Sequence, residues 1–306
     1  MTDNTLLAGK VVLVTGAGGG IGSYIARLAA SRGARVVVND LGGSPHGDGN
    51  DTGPARIVAG EINAAGGEAI ADTGNIADWD DAQAMVQRAV DTFGRIDVVV
   101  NNAGILRDRI FHKMSQEDWD IVARVDLDGY FYVSRAAAPF FKDQQSGCYV
   151  HMTSTSGLVG NIGQANYGAA KLGVAGLSKI IALDMRRFNV RSNCIAPFAF
   201  TRMVGTIPPN DERNRKRLEV VRRMTPDKIA PLAVALMSDA AADINGQIFG
   251  ARNNELMLFS QPRPIRTVHT AEGWTPETAI ETALPAMRGS LVSVDASPDV
   301  FRWDPI

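Results

Sequence analysis

Short runs of β-branched and other apolar residues alternate with longer segments of helical period along the first 250 positions of the chain. This alternation is typical of repeated β-α units, in which helices cover both faces of a parallel sheet. The runs are almost continuously apolar, as expected for strands buried on both faces. We therefore predict an α/β fold with a doubly wound, Rossmann-like parallel sheet of about seven strands, at residues 10–14, 35–39, 68–72, 96–101, 147–152, 190–195 and 247–249.

The segments between these runs carry apolar residues at helical spacing. The helix after the first strand has an apolar face formed by Ile21, Ile25, Leu28 and Ala29. The helix before the fourth strand has another, formed by Ala82, Met85, Val86, Ala89, Val90 and Phe93. Thr225 followed by Pro226 predicts a later helix that ends near Ser238, because proline suits the first turn of a helix. These faces would cover the sheet on both sides.

The alternating pattern stops near residue 250. The proline-containing stretches 261–264, 274–277 and 303–306 predict an irregular extension rather than another domain. We predict one nucleotide-binding domain over residues 1–250 and an extension over 251–306 that packs on it. Residues 41–53 are dense in Gly, Asp and Asn and predict a loop.

Composition and charge narrow the classes of partner. The chain has 306 residues, of which 31 are basic and 33 acidic. This balance does not predict a binder of nucleic acid or anionic membranes and favours a small-molecule partner. Cys148 and Cys194 lie in apolar runs, which predicts buried, reduced thiols. No apolar run has the length of a membrane span and residues 1–9 lack the pattern of a secretory signal, so we expect a cytoplasmic location.

A glycine-rich turn follows the first strand and reads Thr-Gly-Ala-Gly-Gly-Gly-Ile-Gly over residues 15–22. Missing side chains at such a turn let backbone N–H groups approach a pyrophosphate at a helix N-terminus. We predict a phosphate-binding turn that includes Gly16, Gly20, Ile21 and Gly22. The spacing differs from the common G-x-G-x-x-G pattern, and a sharp strand-to-helix turn without a ligand is the alternative.

Asp40 ends the second strand, about twenty residues past the glycine turn, where a carboxylate accepts hydrogen bonds from the adenosine ribose. A carboxylate there would repel the 2′-phosphate of NADP, and neither Gly19 nor Leu41 supplies a positive charge. Asp40 therefore predicts NAD as the cofactor. The alternative is that Asp40 only caps the following loop.

Tyr167 and Lys171 are four residues apart in a segment rich in helix formers, which places both side chains on one helical face. An adjacent cation stabilises a phenolate and lowers the pKa of the phenol, as required of a base near neutral pH. The alternative is an exposed helix face that carries both residues by chance. Ser154 follows the fifth predicted strand, and its hydroxyl would polarise the oxygen of a substrate. Its neighbours Thr153, Thr155 and Ser156 are alternative hydroxyls for that role.

These motifs, together with Asn101-Asn102-Ala103-Gly104, resemble the short-chain dehydrogenase/reductase family over residues 8–250. The resemblance implies an oxidoreductase with Ser154, Tyr167 and Lys171 as catalytic residues and an assembly of two or four identical chains. It further implies that Tyr167 and Lys171 also contact the cofactor. The other cofactor-binding residues that it implies are Asn75 and Ile76 at the adenine, Asn102, Ala103 and Gly104 beside the adenosine, and Pro197 and Thr201 at the nicotinamide.

Three stretches, residues 36–43, 101–108 and 163–171, resemble the dehydrogenase domain of peroxisomal multifunctional enzymes and bacterial dehydrogenases of steroid catabolism. The resemblance implies NAD-dependent oxidation of a hydrophobic secondary alcohol, either a (3R)-hydroxyacyl-CoA thioester or a hydroxysteroid. Asp126 departs from the family, which usually has asparagine there, and this leaves the proton relay open. Phe198 replaces a usual glycine, and we expect it to narrow the nicotinamide side of the pocket. Residues 304–306 form no peroxisomal address.

The segment after Thr201 occupies the place of the substrate lid in the family, and its apolar residues Met203, Val204 and Ile207 would face the substrate. A basic cluster follows, formed by Arg213, Arg215, Lys216 and Arg217. This cluster would pair with the phosphates of CoA, and a solvated helix face is the alternative. Two other classes of function stay open: a non-catalytic NAD-binding sensor, and an enzyme that uses NAD without net redox change.

Overall fold

The computed structural model describes residues 5–44, 46–49, 51–199 and 222–306. Its strands form one sheet in the order β3-β2-β1-β4-β5-β6-β7-β8. The first seven strands are parallel and β8 is antiparallel to β7. The strands are β1 Val11–Val14, β2 Arg35–Asn39, β3 Glu68–Asp72, β4 Val98–Asn101, β5 Gly147–Met152, β6 Val190–Phe198, β7 Ile248–Arg252 and β8 Glu255–Leu258. The doubly wound α/β fold is confirmed.

Helices cover both faces of this sheet. They are α1 Gly20–Ser31, α2 Gly53–Ala64, α3 Trp79–Phe93, α4 Gln116–Ala123, α5 Gly129–Gln144, α6 Thr155–Leu158, α7 Ala165–Asp184 and α8 Ala230–Met237. One part of the core packs α1, α2 and α8 against one face, and another packs α3 and α5 against the other. The helix predicted from Thr225 is divided into a 3₁₀ turn, Pro226–Lys228, and α8.

Helix α3 shows how local sequence sets these elements. Asp78 caps its first turn, since the side chain accepts a hydrogen bond from Asp81 N. Gly94 ends the helix in the left-handed conformation, with φ of 80°. The predicted apolar face is buried against the sheet except for Val90, which lies at its margin.

A π-helical segment, Arg124–Asp128, joins α4 to α5. Such a turn accommodates one more residue than an α-helical turn and often occurs at functional sites. The sequence analysis did not predict this change of helical period.

The prediction of an irregular extension after residue 250 is wrong at its start. Residue 250 lies inside β7, and the chain turns at Asn253, with φ of 52°, to form β8 on the edge of the sheet. The rest of the extension contains three short α-helices, α9 Pro276–Thr278, α10 Leu284–Met287 and α11 Ser297–Val300. A π-helical segment, Ala279–Ala283, joins α9 to α10, and a 3₁₀ turn, Arg288–Ser290, follows α10. No helix in the described parts of the chain combines the length and apolarity needed to cross a membrane.

Candidate active site

The described residues enclose a cavity of about 1010 Å³ at the carboxyl ends of the strands. The strand order reverses between β1 and β4, and ligands of doubly wound sheets bind in the crevice at that point. Most of the predicted site residues line this cavity, namely Gly16, Gly20, Ile21, Asp40, Asn75, Ile76, Asn102, Ala103, Gly104, Ser154, Tyr167, Lys171 and Pro197. Thr201, the apolar lid residues and the basic cluster at 213–217 lie outside the described residues.

The glycine turn owes its composition to close backbone packing. Gly16 has φ of 62°, and a Cβ there would lie 2.7 Å from the Cα of Ala103. Gly22 does not line the cavity; a Cβ on it would clash with the carbonyl oxygen of Gly16 and the amide of Asn102. Gly22 is therefore required by packing beneath the turn.

The N-terminus of α1 opens into this cavity without a side-chain cap. Its N-cap is Gly19, and no side chain accepts from the first N–H groups of the helix. Free N–H groups and the helix dipole at this point suit an anion such as a pyrophosphate. The geometry of the turn thus fits the phosphates of a dinucleotide.

Asp40 serves the backbone and faces the cavity at the same time. Its Oδ2 accepts from Gly18 N and its Oδ1 from Gly42 N, each at 2.7 Å. Asp40 therefore does cap the following loop, as the alternative interpretation proposed. This does not exclude the other interpretation, because each carboxylate oxygen has a second lone pair for a ribose hydroxyl.

Asn102 ties the end of β4 to the glycine turn. Its side-chain amide donates to the carbonyl oxygens of Thr15, at 2.9 Å, and Gly16, at 3.1 Å. Its backbone N–H donates to Thr15 Oγ1 at 3.0 Å. These bonds hold Ala103 and Gly104 between the turn and α7, on the wall of the cavity.

Ser154, Tyr167 and Lys171 lie together at the end of β5 and the start of α7. Lys171 is buried, with 2% of its surface exposed, and its Nζ lies 5.6 Å from the centre of the Tyr167 ring. The Thr153 hydroxyl donates to the carbonyl oxygen of Lys171 at 2.6 Å, so its proton is not available to a substrate oxygen. Ser154 caps α6 by accepting from Ser156 N, and it also lines the cavity.

A hydrogen-bonded chain that the sequence analysis missed leads away from Ser154. The Ser154 hydroxyl donates to Ser156 Oγ at 3.1 Å, and Ser156 Oγ donates to Gln164 Oε1 at 2.7 Å. Gln164 Nε2 then donates to Asp108 at 2.9 Å. Asn161 also donates to Ser156 Oγ. Only the fold brings these polar residues, from three segments, into one chain.

The expected net lowering of the Tyr167 pKa is wrong for the protein without a ligand. Burial raises the pKa of Tyr167 to about 12, although the Lys171 cation and the Ser154 hydroxyl act to lower it. Asp126 and Tyr130 raise it further. The sequence identified the cation but gave no measure of the desolvation, which outweighs it.

Asp126 and Tyr130 complete the surroundings of Lys171. Asp126 Oδ1 lies 2.8 Å from Lys171 Nζ, and both side chains are buried. Lys171 Nζ also donates to the Tyr130 hydroxyl at 2.8 Å. The sequence marked Asp126 as unusual, whereas nothing in the local pattern marked Tyr130.

Phe198 does not narrow the pocket as expected. It is absent from the cavity wall, where its neighbours Pro197 and Ala199 lie. Its ring packs edge-on against Phe301 of the extension, with 4.8 Å between the ring centres. The aromatic side chain therefore binds the extension to the end of β6. Cys148 and Cys194 are free and buried, as predicted.

Comparison with known proteins places this arrangement among dehydrogenases. Residues 10–212 match the family described as short chain dehydrogenase. A putative short-chain type dehydrogenase/reductase of Mycobacterium tuberculosis is 45% identical over 253 residues, which are 82% of this chain and 85% of that protein. A hydroxyacyl-CoA dehydrogenase, ChsB1, of the same organism is 37% identical over 292 residues, covering 90% of this chain and 87% of the relative.

A longer relative is the mouse peroxisomal multifunctional enzyme type 2, which is 47% identical over 241 residues. These residues are 79% of this chain but only 31% of that enzyme, so the match spans less than a third of the relative. Among solved structures, a short chain dehydrogenase from Mycobacterium avium superposes with a TM-score of 0.82 and 38% identity over 94% of this chain and 97% of its own. A 7α-hydroxysteroid dehydrogenase complexed with NADH and 7-oxo glycochenodeoxycholic acid has a TM-score of 0.74 and 31% identity over 83% of this chain and 97% of its own.

Proposed function

The chain belongs to the short-chain dehydrogenase family, an oxidoreductase family acting on CH–OH groups, and from this we propose that it oxidises a hydrophobic secondary alcohol to a ketone with NAD. The observation that carries this proposal is one cavity that joins the glycine turn to Ser154, Tyr167 and Lys171. A phosphate-binding turn and an acid–base group that line the same cavity suit hydride transfer to a dinucleotide.

Residues of β1, β2, β4 and α1 would hold the dinucleotide. The N-terminus of α1 would bind the pyrophosphate, and Asp40 would accept from the adenosine ribose. Asn75, Ile76 and residues 102–104 line the same part of the cavity. The carboxylate of Asp40 supports NAD rather than NADP, because it would repel a 2′-phosphate.

The proton of the substrate hydroxyl would pass to Tyr167 Oη, while the hydroxyl of Ser154 steadies the substrate oxygen. The positive charge of Lys171 stabilises the Tyr167 phenolate. The hydrogen bond from Lys171 Nζ to the Tyr130 hydroxyl helps to hold that charge in place. Residues of this cavity would hold the nicotinamide beside Tyr167, where NAD would supply the hydride acceptor.

The relatives support a lipid or steroid alcohol as the substrate. Their names include a hydroxyacyl-CoA dehydrogenase, a peroxisomal multifunctional enzyme and a hydroxysteroid dehydrogenase. We propose that the substrate is a 3-hydroxyacyl-CoA or a hydroxysteroid. If the substrate is a CoA thioester, Arg213, Arg215 and Arg217 are our candidates for its phosphates.

An assembly of two or four copies and a cytoplasmic location complete the proposal. Phe131 on α5 and Leu172, Ile180 and Leu183 on α7 are each at least 44% exposed, which supports an apolar contact between copies. The two free, buried cysteines support a reducing compartment.

Purified protein should form NADH when it is given NAD and either a (3R)-hydroxyacyl-CoA or a steroid secondary alcohol, with NADP as the cofactor control. Preference for the thioester would indicate fatty-acid oxidation, and preference for the steroid would indicate ring or hydroxysteroid oxidation. Binding of NADH without turnover of any alcohol would support the sensor alternative. Product formation without net NADH would support an enzyme without net redox change.

Tyr167→Phe removes only the phenolic oxygen that, as phenolate, accepts the proton, so turnover should fall by at least about a hundredfold. NADH binding, measured by fluorescence, should stay within about threefold of the wild type, because the ring and Lys171 remain. Turnover that survives this change would remove Tyr167 from the mechanism.

A further inference from the structure

Lys171 has a buried counter-ion that reaches it from outside its own helix. Asp126 lies in the π-helical segment between α4 and α5, is completely buried, and has its Oδ1 2.8 Å from Lys171 Nζ. Its other oxygen, Oδ2, accepts from Ile105 N at 2.9 Å, which fixes the carboxylate against the loop after β4. The ion pair is therefore held by backbone on one side and by helix α7 on the other.

The loop after β4 is shaped to admit this carboxylate. A Cβ on Gly104 would clash with Asp126 Oδ1 and would lie 3.5 Å from Lys171 Nζ. The glycine thus leaves space for the carboxylate beside the ammonium. Three segments therefore combine to bring Asp126 close to Lys171: the loop after β4, the π-helical segment and α7.

The same ammonium donates to one phenol and lies near a second. Lys171 Nζ donates to the Tyr130 hydroxyl at 2.8 Å, and it lies 5.6 Å from the centre of the Tyr167 ring. The hydrogen bond to Tyr130 and the ion pair with Asp126 hold the ammonium in place at the cavity wall, which Lys171 also lines. A charge so close to Tyr167 governs how easily the phenol loses its proton.

Building on the proposed alcohol oxidation, we propose that Asp126 is a positioning residue that holds and compensates the Lys171 ammonium, so that Tyr167 accepts the substrate proton in a higher pH range than it would beside an unpaired lysine. An asparagine at this place would keep the shape of the side chain and lose the compensation. Loss of the compensation would change the pH range of oxidation and not the reaction itself.

The direction of the electrostatic effect supports this assignment. The Asp126 carboxylate raises the pKa of Tyr167, in opposition to Lys171. Burial raises the pKa of Asp126 itself, whereas Lys171 and the hydrogen bond from Ile105 act to lower it. Burial outweighs these two, so the pKa of Asp126 is raised overall. Compensation operates where the carboxylate is charged, which is the pH range above that raised pKa.

Other ionisable groups lie on the elements that pack around the pair. From α5, burial raises the pKa of Tyr130 well above its ordinary value. From β5, burial lowers the pKa of His151 to about 3, and from β6, burial raises that of Cys194 to about 12. Helix α4 contributes Asp118, whose carboxylate lies 3.9 Å from Arg109 Nε. In the loop after β4, Asp108 accepts a hydrogen bond from Gln164, and burial raises its pKa above the ordinary value.

The test compares Asp126→Asn with the wild type in the dependence of kcat/KM on pH, with NAD saturating. The rising limb should move to lower pH by about one unit, because Tyr167 is then next to an uncompensated cation. At a pH below both rising limbs, kcat/KM expressed as a fraction of its plateau value should be up to about tenfold higher in the variant than in the wild type. The plateau kcat should fall, because the ammonium is less well fixed.

Asp128→Asn is the matched control, since it removes the same charge from the same segment without a neighbouring lysine on α7. Its profile should not move. Asp126→Glu keeps the negative charge and lengthens the side chain that carries it. The rising limb of its pH profile should therefore stay in place, while kcat falls. A limb that shifts equally in the Glu and Asn variants, or that stays in place in Asp126→Asn, overturns the proposal.

A readout that needs no turnover separates this inference from the proposed function. The chain has 5 tyrosines, so ¹³C-labelled tyrosine resonances can be resolved and Tyr167 assigned by its loss in Tyr167→Phe. In Asp126→Asn the Tyr167 resonance should titrate about one pH unit lower than in the wild type. An unchanged titration overturns the inference even if the enzyme is active; a shifted titration with no alcohol oxidised would support it and overturn the proposed function.

Discussion

At the scale of single residues, Asp40 shows how one carboxylate combines a structural and a recognition role. It holds the glycine turn through Gly18 N and the next loop through Gly42 N, and it also lines the cavity. These backbone hydrogen bonds already fix the Asp40 side chain at the cavity wall. Little side-chain entropy would therefore be lost when the carboxylate accepts from a ligand. Cofactor choice at such a position depends on charge more than on shape.

Asp40→Asn should reduce the preference for NAD over NADP by about tenfold or more, because the repulsion of the 2′-phosphate is lost while one oxygen still accepts from the backbone. The measurement is the ratio of kcat/KM for the two cofactors with one alcohol. Asp51→Asn removes a charge from the same loop outside the cavity wall and should leave the ratio unchanged. An unaltered ratio in Asp40→Asn would reduce Asp40 to a loop cap.

At the scale of elements, the extension connects two walls of the active site. Ser297 at the start of α11 donates from its backbone N–H, at 2.8 Å, and from its hydroxyl, at 3.0 Å, to the carbonyl oxygen of Gly160 between α6 and α7. A few residues later, Phe301 packs against Phe198 at the end of β6. Both attachment points adjoin cavity residues, Asn161 on one side and Pro197 on the other.

Phe301→Ala should raise the KM for the alcohol several-fold with little change in the KM for NAD, since it frees the substrate side of the cavity and leaves the glycine turn intact. Loss of the aromatic pair should also lower stability by about 1–2 kcal/mol. Steady-state kinetics and denaturant unfolding measure the two effects. Val294→Ala, at a fully exposed position of the extension, is the control and should change neither. Equal changes in both KM values would contradict a role limited to the substrate side.

At the scale of the whole molecule, a buried polar network crosses the sheet. His151 of β5 is fully buried, with Nδ1 3.1 Å from Asn101 Nδ2 and Nε2 3.2 Å from Ser192 Oγ. Ser192 also shares a hydrogen bond with Ser178 of α7. The network links β4, β5, β6 and α7, and it holds His151 as a neutral imidazole, with its pKa lowered to about 3 by burial.

Because His151 is buried in its neutral form, we expect the free energy of unfolding to fall at pH values well above those at which carboxylates become protonated. The unfolded state binds a proton at His151 below about pH 6.5, whereas the folded state does not until about pH 3, so stability falls as the pH drops through that window. From about pH 7.5 to about pH 5 the contribution of His151 should cost about 2 kcal/mol of unfolding free energy.

His151→Gln, which does not titrate, should remove that part of the pH dependence in denaturant unfolding, whatever its effect on absolute stability. His112→Gln alters an exposed histidine and should leave the dependence as in the wild type. Equal slopes in His151→Gln and the wild type would show that His151 becomes charged within the folded protein.

The sequence by itself determined the features that depend on neighbours along the chain. The seven parallel strands, the glycine turn and the Tyr167–Lys171 pair follow from period, composition and spacing, because pleat and helical repeat place nearby residues on one face. The turn at Asn253 and strand β8 also had a local signal, two asparagines between apolar runs, which the proline-rich stretches after them obscured.

Only the tertiary structure decided which distant groups meet and how dry their surroundings are. The pairing of Asp126 with Lys171, the contact of Phe198 with Phe301 and the chain from Ser154 to Asp108 all join separate elements. The pKa of Tyr167 depends on the same packing, because desolvation is a property of everything that surrounds a group. The sequence thus determined which chemical groups the site contains, and the packing of separate elements decided their charges, their partners and their access to water.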